Sequence, residues 1–215
     1  MPFVNPYIEK IKDNIHIIEE KERAIQQKGA WQQYFKNTFP ICLEIGTGLG
    51  NFFAYQVWLQ PNTNFIGMEI KFKRVYKTYE KALKAWGNNF VVLKRYAQEI
   101  NEIFWDEEID TTYILFPDPW DNKDRQKKNK LLQKDFIETL YKKTKRWGKW
   151  IFKTDHREYF EETLKIIEEL KMWNIKKVSS DYEKEIEEFD KKMITEFEGL
   201  FRGENKKICY LEAVK

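Results

Sequence analysis

Short apolar segments that alternate with longer helical segments constrain the fold of this chain more than any other feature. The apolar segments lie near 40–45, 64–69, 90–93, 111–116 and 149–153, with two later ones near 173–178 and 207–213 that bracket an acidic segment predicted to be irregular. Stretches with helical spacing lie at 51–59, 71–86, 131–144 and 157–172. Strands that alternate with helices in this way form parallel βαβ units. The sequence therefore predicts an α/β fold built on a doubly wound, Rossmann-like sheet.

The chain shows no internal repeat and no convincing linker, so one folded domain is predicted at 31–215. Residues 1–30 are predicted to form a helical N-terminal extension that can be mobile. No segment has the roughly 20 apolar residues that cross a bilayer, and none reads as a secretory leader. Cys42 and Cys209 stand far apart in apolar surroundings and are interpreted as core residues, and the two histidines add no ligand spacing. We therefore expect a cytoplasmic protein without a metal site.

A glycine-rich loop follows the first predicted strand and opens a helix. Its glycines are Gly46, Gly48 and Gly50. Glycine lets the backbone turn sharply and lets a ligand approach the N-terminus of a helix. A dinucleotide-binding loop would place its third glycine at position 51, which is Asn51 here. The loop therefore predicts a ligand site that lacks the full dinucleotide fingerprint.

Two acids flank the glycine loop and indicate which ligand it takes. Glu44 lies two residues before Gly46, where a carboxylate suits a ligand with an ammonium group and would repel a pyrophosphate. Glu69 ends the second strand, where an acid accepts hydrogen bonds from the two hydroxyls of a ribose. The structural alternatives are a charge at the mouth of the sheet for Glu44 and a neighbour of a helix N-cap for Glu69. Together they predict a nucleoside with a positively charged amino-acid tail, S-adenosylmethionine.

The segment Phe116–Trp120, Phe-Pro-Asp-Pro-Trp, ends the fourth predicted strand. Its two prolines stop the strand and restrict the backbone on both sides of Asp118. Ligands of open α/β sheets bind at the carboxyl ends of the strands. The segment therefore predicts a binding edge with one anchored acid and an aromatic ring. The alternative is a proline-rich turn in which Trp120 only covers the edge of the sheet.

Basic residues concentrate on two segments near this edge. Residues 71–95 contain eight Lys or Arg against the single acid Glu80, and residues 121–149 contain eleven against four acids. Charge runs are usually solvated helix faces, but two separate basic segments also suit the neutralisation of phosphates. We therefore expect a nucleic acid as partner. The predicted phosphate contacts are Lys71, Lys73, Arg74, Lys123, Arg125, Lys127 and Lys128.

Several of these motifs, in this order and spacing, carry a resemblance to a known family. The motifs are Leu43-Glu44-Ile45-Gly46-x-Gly48-x-Gly50, Gly67-Met68-Glu69, Phe116–Trp120, Thr154-Asp155 and Thr195-Glu196-Phe197-Glu198. From about residue 31 to the C-terminus the chain resembles the bacterial tRNA (guanine-N7-)-methyltransferases, the TrmB family. The resemblance implies transfer of a methyl group to N7 of a guanosine in the tRNA variable loop, usually guanosine 46. It also implies a class I methyltransferase sheet of seven strands, with the last one antiparallel.

The resemblance also assigns roles to positions of this chain. Asp118 matches a catalytic residue at the junction of cofactor and guanine, where it orients the base and stabilises developing positive charge. The implied cofactor-binding residues are Glu44, Gly46, Gly48, Gly50, Glu69, Tyr96, Ala97 and Asp118. The implied substrate-binding residues are Asn122, Lys123, Asp155, Thr195, Glu196, Phe197 and Glu198. Of the aromatic residues, Trp120 and Phe197 are the candidates to stack on the guanine.

The chain departs from the family pattern at two of these positions. Tyr96 precedes Ala97 where the family often has Asp or Asn, so backbone contacts or ring stacking are expected beside the adenine. Asn122 stands where the family usually has a basic residue, with Lys123 next, so either can take the contact with RNA.

Two of the implied substrate-binding residues also have a structural alternative. Asp155 can be a helix N-cap, and Glu198 can be a solvated loop acid.

Two other functions agree with the sequence. One is a methyltransferase for another substrate, whose basic segments are only surface. The other is a non-catalytic RNA-binding subunit that keeps the fold and has lost its cofactor. Oligomeric state is left open between a monomer and a homodimer.

Overall fold

The computed structural model describes residues 5–120, 129–182 and 195–215. The chain forms two compact units, Met1–Phe104 and Trp105–Lys215. Each unit contains its own set of strands and helices.

The first unit contains four strands whose hydrogen-bonded order is β1-β4-β3-β2, and each adjacent pair is parallel. Its strands are β1 (Ile17–Ile18), β2 (Ile41–Ile45), β3 (Asn64–Met68) and β4 (Phe90–Leu93). Its helices are α1 (Ile8–Ile11), α2 (Lys21–Ile25), α3 (Trp31–Phe35), α4 (Asn51–Leu59), α5 (Phe72–Lys84) and α6 (Ile100–Ile103), with a 3₁₀ turn at Ala97–Glu99. Every residue of β2, β3 and β4 is buried, as expected for parallel strands that are covered on both faces.

The register of these strands brings their carboxyl ends together. Ile45 pairs with Met68, and Met68 pairs with Leu93. The residues that follow each strand, including the glycine loop and Glu69, therefore emerge at the same edge. The aromatic core beneath them is formed by Phe53, whose ring packs edge-on against Phe65 at 6.2 Å and against Phe90 at 6.1 Å.

The N-terminal segment is not helical throughout, contrary to the sequence-based expectation. Ile17 and Ile18 form β1, which pairs in parallel with Val92 and Leu93. The ring of His16 stacks on Phe90 at 4.5 Å, and its Nδ1 lies 3.0 Å from the carbonyl oxygen of that residue. Two buried isoleucines and one stacked imidazole hold this short strand, although it is too short to show a strand pattern in the sequence. The domain boundary at residue 30 stays a prediction.

The second unit contains four strands in the order β5-β6-β8-β7. Its strands are β5 (Ile109–Leu115), β6 (Thr144–Thr154), β7 (Asn174–Ser179) and β8 (Cys209–Val214), and its helices are α7 (Lys134–Lys143), α8 (Arg157–Leu170) and α9 (Glu196–Gly203). β5 and β6 are parallel, whereas β8 is antiparallel to both β6 and β7. The predicted reversal of the last strand is therefore confirmed.

Two expectations about the elements are corrected by the structure. The described residues contain eight strands rather than seven, because β1 adds to the predicted set. The acidic segment between the last two strands was expected to be irregular, but it includes the helix α9. Within the described parts of the chain, every helix is too short or too polar to cross a membrane.

Gly50 and Gly203 provide a matched test of backbone packing. Gly50 has a φ of +78°, and a Cβ built on it would lie 2.4 Å from the Cα of Thr78 in α5. We expect Gly50→Ala to lower the free energy of unfolding by about 2–5 kcal/mol, because left-handed strain and overpacking add. Gly203 is exposed, and its Cβ would meet no atom within 4 Å. Gly203→Ala should change the same quantity by less than about 0.5 kcal/mol.

Denaturant unfolding followed by circular dichroism measures both changes. Equal stability of the two variants would contradict the close packing of α5 against the start of α4.

Candidate functional site

The glycine loop between β2 and α4 turns through left-handed backbone at three positions. The φ angles are +80° at Gly46, +57° at Gly48 and +78° at Gly50. The amide of Gly46 donates to the carbonyl oxygen of Met68 at 2.8 Å, which fixes the loop to the end of β3. Residues with a Cβ rarely adopt these angles, so glycine is required by the path of the chain.

Two of the glycines also differ in what surrounds them. A Cβ on Gly46 would meet no atom within 4 Å, so the space beside this residue is open. At Gly50 the equivalent space is filled by Thr78, whose hydroxyl also lies 2.9 Å from that of Thr47. Gly50 therefore allows close packing of two helices, whereas Gly46 leaves room for a ligand.

Two buried carboxylates belong to residues at the ends of the strands that border the glycine loop. Glu44 is the fourth residue of β2 and is 4% exposed, and Glu69 follows β3 and is 5% exposed. Burial of a carboxylate is costly unless it is hydrogen-bonded or paired with a cation. Buried carboxylates at the end of a strand therefore need partners, which are either backbone amides or a cationic ligand.

Glu69 organises the backbone around the loop. Its Oε1 accepts hydrogen bonds from the amides of Ile70 at 2.8 Å and Lys71 at 3.0 Å, at the start of α5. Its Oε2 accepts from the amide of Gly48 at 3.1 Å and lies 3.9 Å from Nη1 of Arg74. Glu69 therefore lies beside the N-cap of α5, which is the structural alternative that the sequence analysis gave for it. A carboxylate has about four acceptor sites, so three amide bonds leave capacity for one ribose hydroxyl.

Tyr96 and Ala97 follow β4 at the same edge. Tyr96 is 60% exposed and precedes the 3₁₀ turn that Ala97 begins. The carbonyl oxygen of Tyr96 accepts from the amide of Glu99 at 3.0 Å, which fixes the start of the turn. The ring is exposed, and its stacking on a ligand stays a prediction.

The predicted phosphate contacts divide into two groups. In the first unit, Lys71 and Lys73 are exposed near the start of α5, whereas Arg74 is engaged with Glu69. The remaining candidates lie outside the described residues; they are Lys123, Arg125, Lys127 and Lys128. Asn122, a candidate for substrate contact, also lies outside the described residues.

In the second unit, the segment Phe116–Trp120 leaves β5 through strained backbone. Phe116 has a φ of +53° and Trp120 a φ of +48°, although neither is glycine. The amide of Phe116 donates to the carbonyl oxygen of Lys153 at 2.8 Å, so the pairing of β5 with β6 continues into the turn. Asp118 is exposed between these two bends. Asp118 therefore follows the end of β5 as expected, and its role as a binding acid stays a prediction.

Asp155 follows β6 at the same edge of the second unit. Its expected alternative role as an N-cap is wrong, because His156 caps α8 instead: its Nδ1 accepts from the amide of Tyr159 at 3.1 Å. The Oδ2 of Asp155 accepts a hydrogen bond from Nζ of Lys206 at 3.3 Å. A substrate that bonds to this oxygen would compete with Lys206.

The motif Thr195-Glu196-Phe197-Glu198 forms the start of α9. The Oγ1 of Thr195 caps the helix by accepting from the amide of Glu198 at 3.0 Å. The Glu198 side chain is fully buried, so its alternative as a solvated loop acid is wrong. Its Oε2 accepts from Nζ of Lys153 at 3.1 Å, and its Oε1 pairs with Nη2 of Arg202. Phe197 is partly exposed, and the Glu196 side chain lies outside the described part of the structure.

Two residues that sequence reasoning did not select support this part of the second unit. Lys153 is a buried cation near the end of β6, and the signal for it is a lysine directly after the apolar run Trp150–Phe152. Tyr159 is buried beneath the same edge, and its hydroxyl accepts from the amide of Leu132 at 2.9 Å. The Thr-x-x-Glu spacing of residues 195–198 is also a helix-capping signal, which could have predicted α9.

A family model described as "Putative methyltransferase" matches residues 38–211. A bifunctional glycosyltransferase/methyltransferase of Fusobacterium nucleatum is 35% identical over 213 residues, which are 98% of this chain and 33% of that protein. This chain therefore spans about a third of the length of that relative. A tRNA (guanine-N(7)-)-methyltransferase of Lachnoclostridium phytofermentans is 32% identical over 207 residues, which are 96% of this chain and 94% of that protein.

Among solved structures, the 16S rRNA methyltransferase KamB is similar with a TM-score of 0.61 at 12% identity. The match covers 86% of this chain and 92% of that chain. At this identity the likeness shows the fold alone. It confirms the predicted α/β, Rossmann-like fold class.

Glu69→Gln tests how the glycine loop is held. An amide side chain has one acceptor oxygen, so it cannot accept all three of the hydrogen bonds that backbone amides donate to Glu69. We expect faster hydrogen exchange at Gly48 and a loss of about 1–3 kcal/mol in the free energy of unfolding. Glu80→Gln, on the outer face of α5 beside Lys77, is the control and should leave Gly48 exchange unchanged. Unchanged exchange in Glu69→Gln would remove this carboxylate from the organisation of the loop.

Tyr159 links stability to alkaline pH. Burial raises its pKa from 10.0 to about 12. Between these values the unfolded chain has lost a proton that the folded chain keeps, so this tyrosine makes stability fall as pH rises. We expect Tyr159→Phe to be less stable at pH 8 by about 1–3 kcal/mol, because Leu132 loses its acceptor. Its stability should also fall less steeply from pH 10 to 12 in urea titrations, and an unchanged slope would contradict the assignment.

Proposed function

Because this chain belongs to the TrmB family of tRNA (guanine-N7-)-methyltransferases, we propose that it transfers a methyl group from S-adenosylmethionine to N7 of a guanosine in tRNA. The proposed target is the variable loop, usually position 46. The tRNA substrate, a cytoplasmic location and a monomeric or homodimeric state are parts of this proposal.

The observation that carries the proposal is the open space beside Gly46, in a loop whose bordering strands end with two buried carboxylates. These two carboxylates fit S-adenosylmethionine. The ammonium group of the cofactor suits Glu44, and one hydroxyl of its ribose suits the fourth acceptor site of Glu69. The adenine is assigned to the exposed ring of Tyr96 and the backbone at Ala97. Gly46, Gly48 and Gly50 let the chain approach the ligand closely. When bound, the cofactor supplies a methyl group made electrophilic by its sulfonium.

The chemistry of N7 requires little proton transfer from the protein. N7 of guanine carries a lone pair and no hydrogen, so a general base is not needed to expose it. The main requirement is alignment, which can lower a barrier by roughly 7–11 kcal/mol. Positive charge accumulates on the purine during transfer, and a fixed carboxylate can stabilise it. We assign this catalytic role to Asp118, which is exposed between two backbone bends and can orient the base.

Recognition of guanine is assigned to acids and aromatic rings of the second unit. The carboxylates of Asp118 and Asp155 can accept from N1–H and the exocyclic amine, which adenine does not present together. Trp120 is 39% exposed and Phe197 is partly exposed, so each can stack on the base. Glu198 is buried between two cations, so its proposed contribution is to position α9 rather than to bond to guanine.

Binding of the RNA itself is assigned to six residues of the two basic segments. Lys71 and Lys73 are exposed, and Lys123, Arg125, Lys127 and Lys128 complete the proposed set. Neutralised phosphates release counterions, so binding through these residues weakens as salt rises. Thr195, Glu196 and Asn122 keep their family assignment to substrate as proposals.

Base-resolved mapping of methylation on an unmodified tRNA pool tests the proposal. With labelled S-adenosylmethionine, we expect methyl incorporation at N7 of one guanosine in the variable loop. We expect Asp118→Asn to lower kcat by about 10²- to 10³-fold, because a fixed charge near the purine is lost. Asp135→Asn, an exposed acid in the first turn of α7, is the control and should retain activity.

Three results would contradict the proposal in different ways. Methylation of another base or another molecule would indicate the alternative methyltransferase. Absence of cofactor binding in calorimetry would indicate the non-catalytic subunit. Full activity of Asp118→Asn would remove this residue from the catalytic role.

A further inference from the structure

We propose that Lys153 is a positioning residue for the guanine-binding side of the second unit. It holds the turn that carries Asp118 through its main chain and holds α9 through its side chain. The inference rests on the proposed function, because it concerns how the same reaction is organised.

The main chain of Lys153 fixes the start of the turn. Lys153 pairs with Leu115 in the parallel register of β5 and β6. Its carbonyl oxygen accepts from the amide of Phe116 at 2.8 Å. The last backbone hydrogen bond between β5 and β6 is therefore made by Phe116, the residue at which the chain bends toward Asp118.

The side chain of Lys153 fixes the start of α9. Its Nζ donates to Oε2 of Glu198 at 3.1 Å, and both side chains are buried. The other oxygen of Glu198 pairs with Arg202, one turn further along the helix. A fully buried carboxylate needs such partners to remain charged. Loss of the lysine would leave this carboxylate with less compensation and would loosen the helix start.

α9 in turn packs on the bend that leads to Asp118, and the chain just after the helix contacts Asp155. The ring of Phe201 lies 5.6 Å from that of Phe116, whose backbone is in the left-handed region. Such backbone persists only where the surroundings hold it. Lys206, just after α9, lies over the Phe201 ring at 4.4 Å and bonds to Asp155. α9 therefore contacts the residue that begins the turn carrying Asp118, and Lys206 just after the helix contacts Asp155 itself.

A double-mutant cycle separates this positioning role from a direct contact of Glu198 with guanine. The variants are Lys153→Met, Glu198→Gln and the double substitution. If Lys153 acts through Glu198, the two losses are coupled and the double variant is no worse than the poorer single variant. If Glu198 bonds to guanine on its own, the two losses multiply.

We expect each single substitution to lower kcat by about 10- to 100-fold, the size expected for a displaced reacting group. The dissociation constant for S-adenosylmethionine, measured by calorimetry, should change less than about twofold. Lys153→Arg keeps the charge and should recover part of kcat. The matched control is Lys149→Met: its Nζ lies 3.1 Å from Glu212, also between β6 and β8, but is half exposed, and kcat should be retained.

Hydrogen exchange gives a readout that does not depend on activity. Lys153→Met should speed exchange at the amides of Phe116 and Glu198, whereas Lys149→Met should not. If the wild-type protein methylates no tRNA guanosine, the proposed function fails while this exchange result still tests the positioning role. Multiplying losses, or unchanged exchange at Phe116 in Lys153→Met, would overturn the inference.

Discussion

The structure depends on sharp left-handed bends where parallel strands end. After β2 the bends are made by Gly46, Gly48 and Gly50, for which this backbone carries no steric penalty. After β5 they are made by Phe116 and Trp120, which do carry a penalty and must be held by their surroundings. The glycine bends leave open space beside Gly46, and the bends after β5 place the exposed Asp118 between two residues with strained backbone.

Two buried carboxylates supply much of the restraint on these bends. Glu69 gathers amides from the glycine loop and from the start of α5, whereas Glu198 joins a strand lysine to the first turn of α9. In each case one side chain replaces several weak local contacts by charge-assisted hydrogen bonds in a dry environment. Glu69 and Glu198 belong to motifs shared with the family, and both therefore stabilise the structure in addition to the roles proposed for them.

The sequence predicted the parts of this arrangement that depend on local pattern. The buried runs of β2, β3 and β4 and the glycine loop were evident from alternation and spacing. It failed where the cause is a distant partner: β1 is two residues long and exists because β4 accepts it, and Glu198 is buried because Lys153 lies beside it. A cap on α8 was the structural alternative for Asp155, but His156 makes the cap, and local spacing allowed both.

The short strand β1 has a consequence for the solubility of the chain. The carbonyl oxygens of His16 and Ile18 accept from the amides of Val92 and Lys94 at 2.8 and 2.9 Å, so they occupy the free side of β4. β4 consists of Phe90, Val91, Val92 and Leu93, a run with high strand propensity and no charge. Without residues 5–20 this edge would be bare and could recruit strands from other molecules. By covering this edge, the N-terminal segment is expected to lower the tendency of the chain to aggregate.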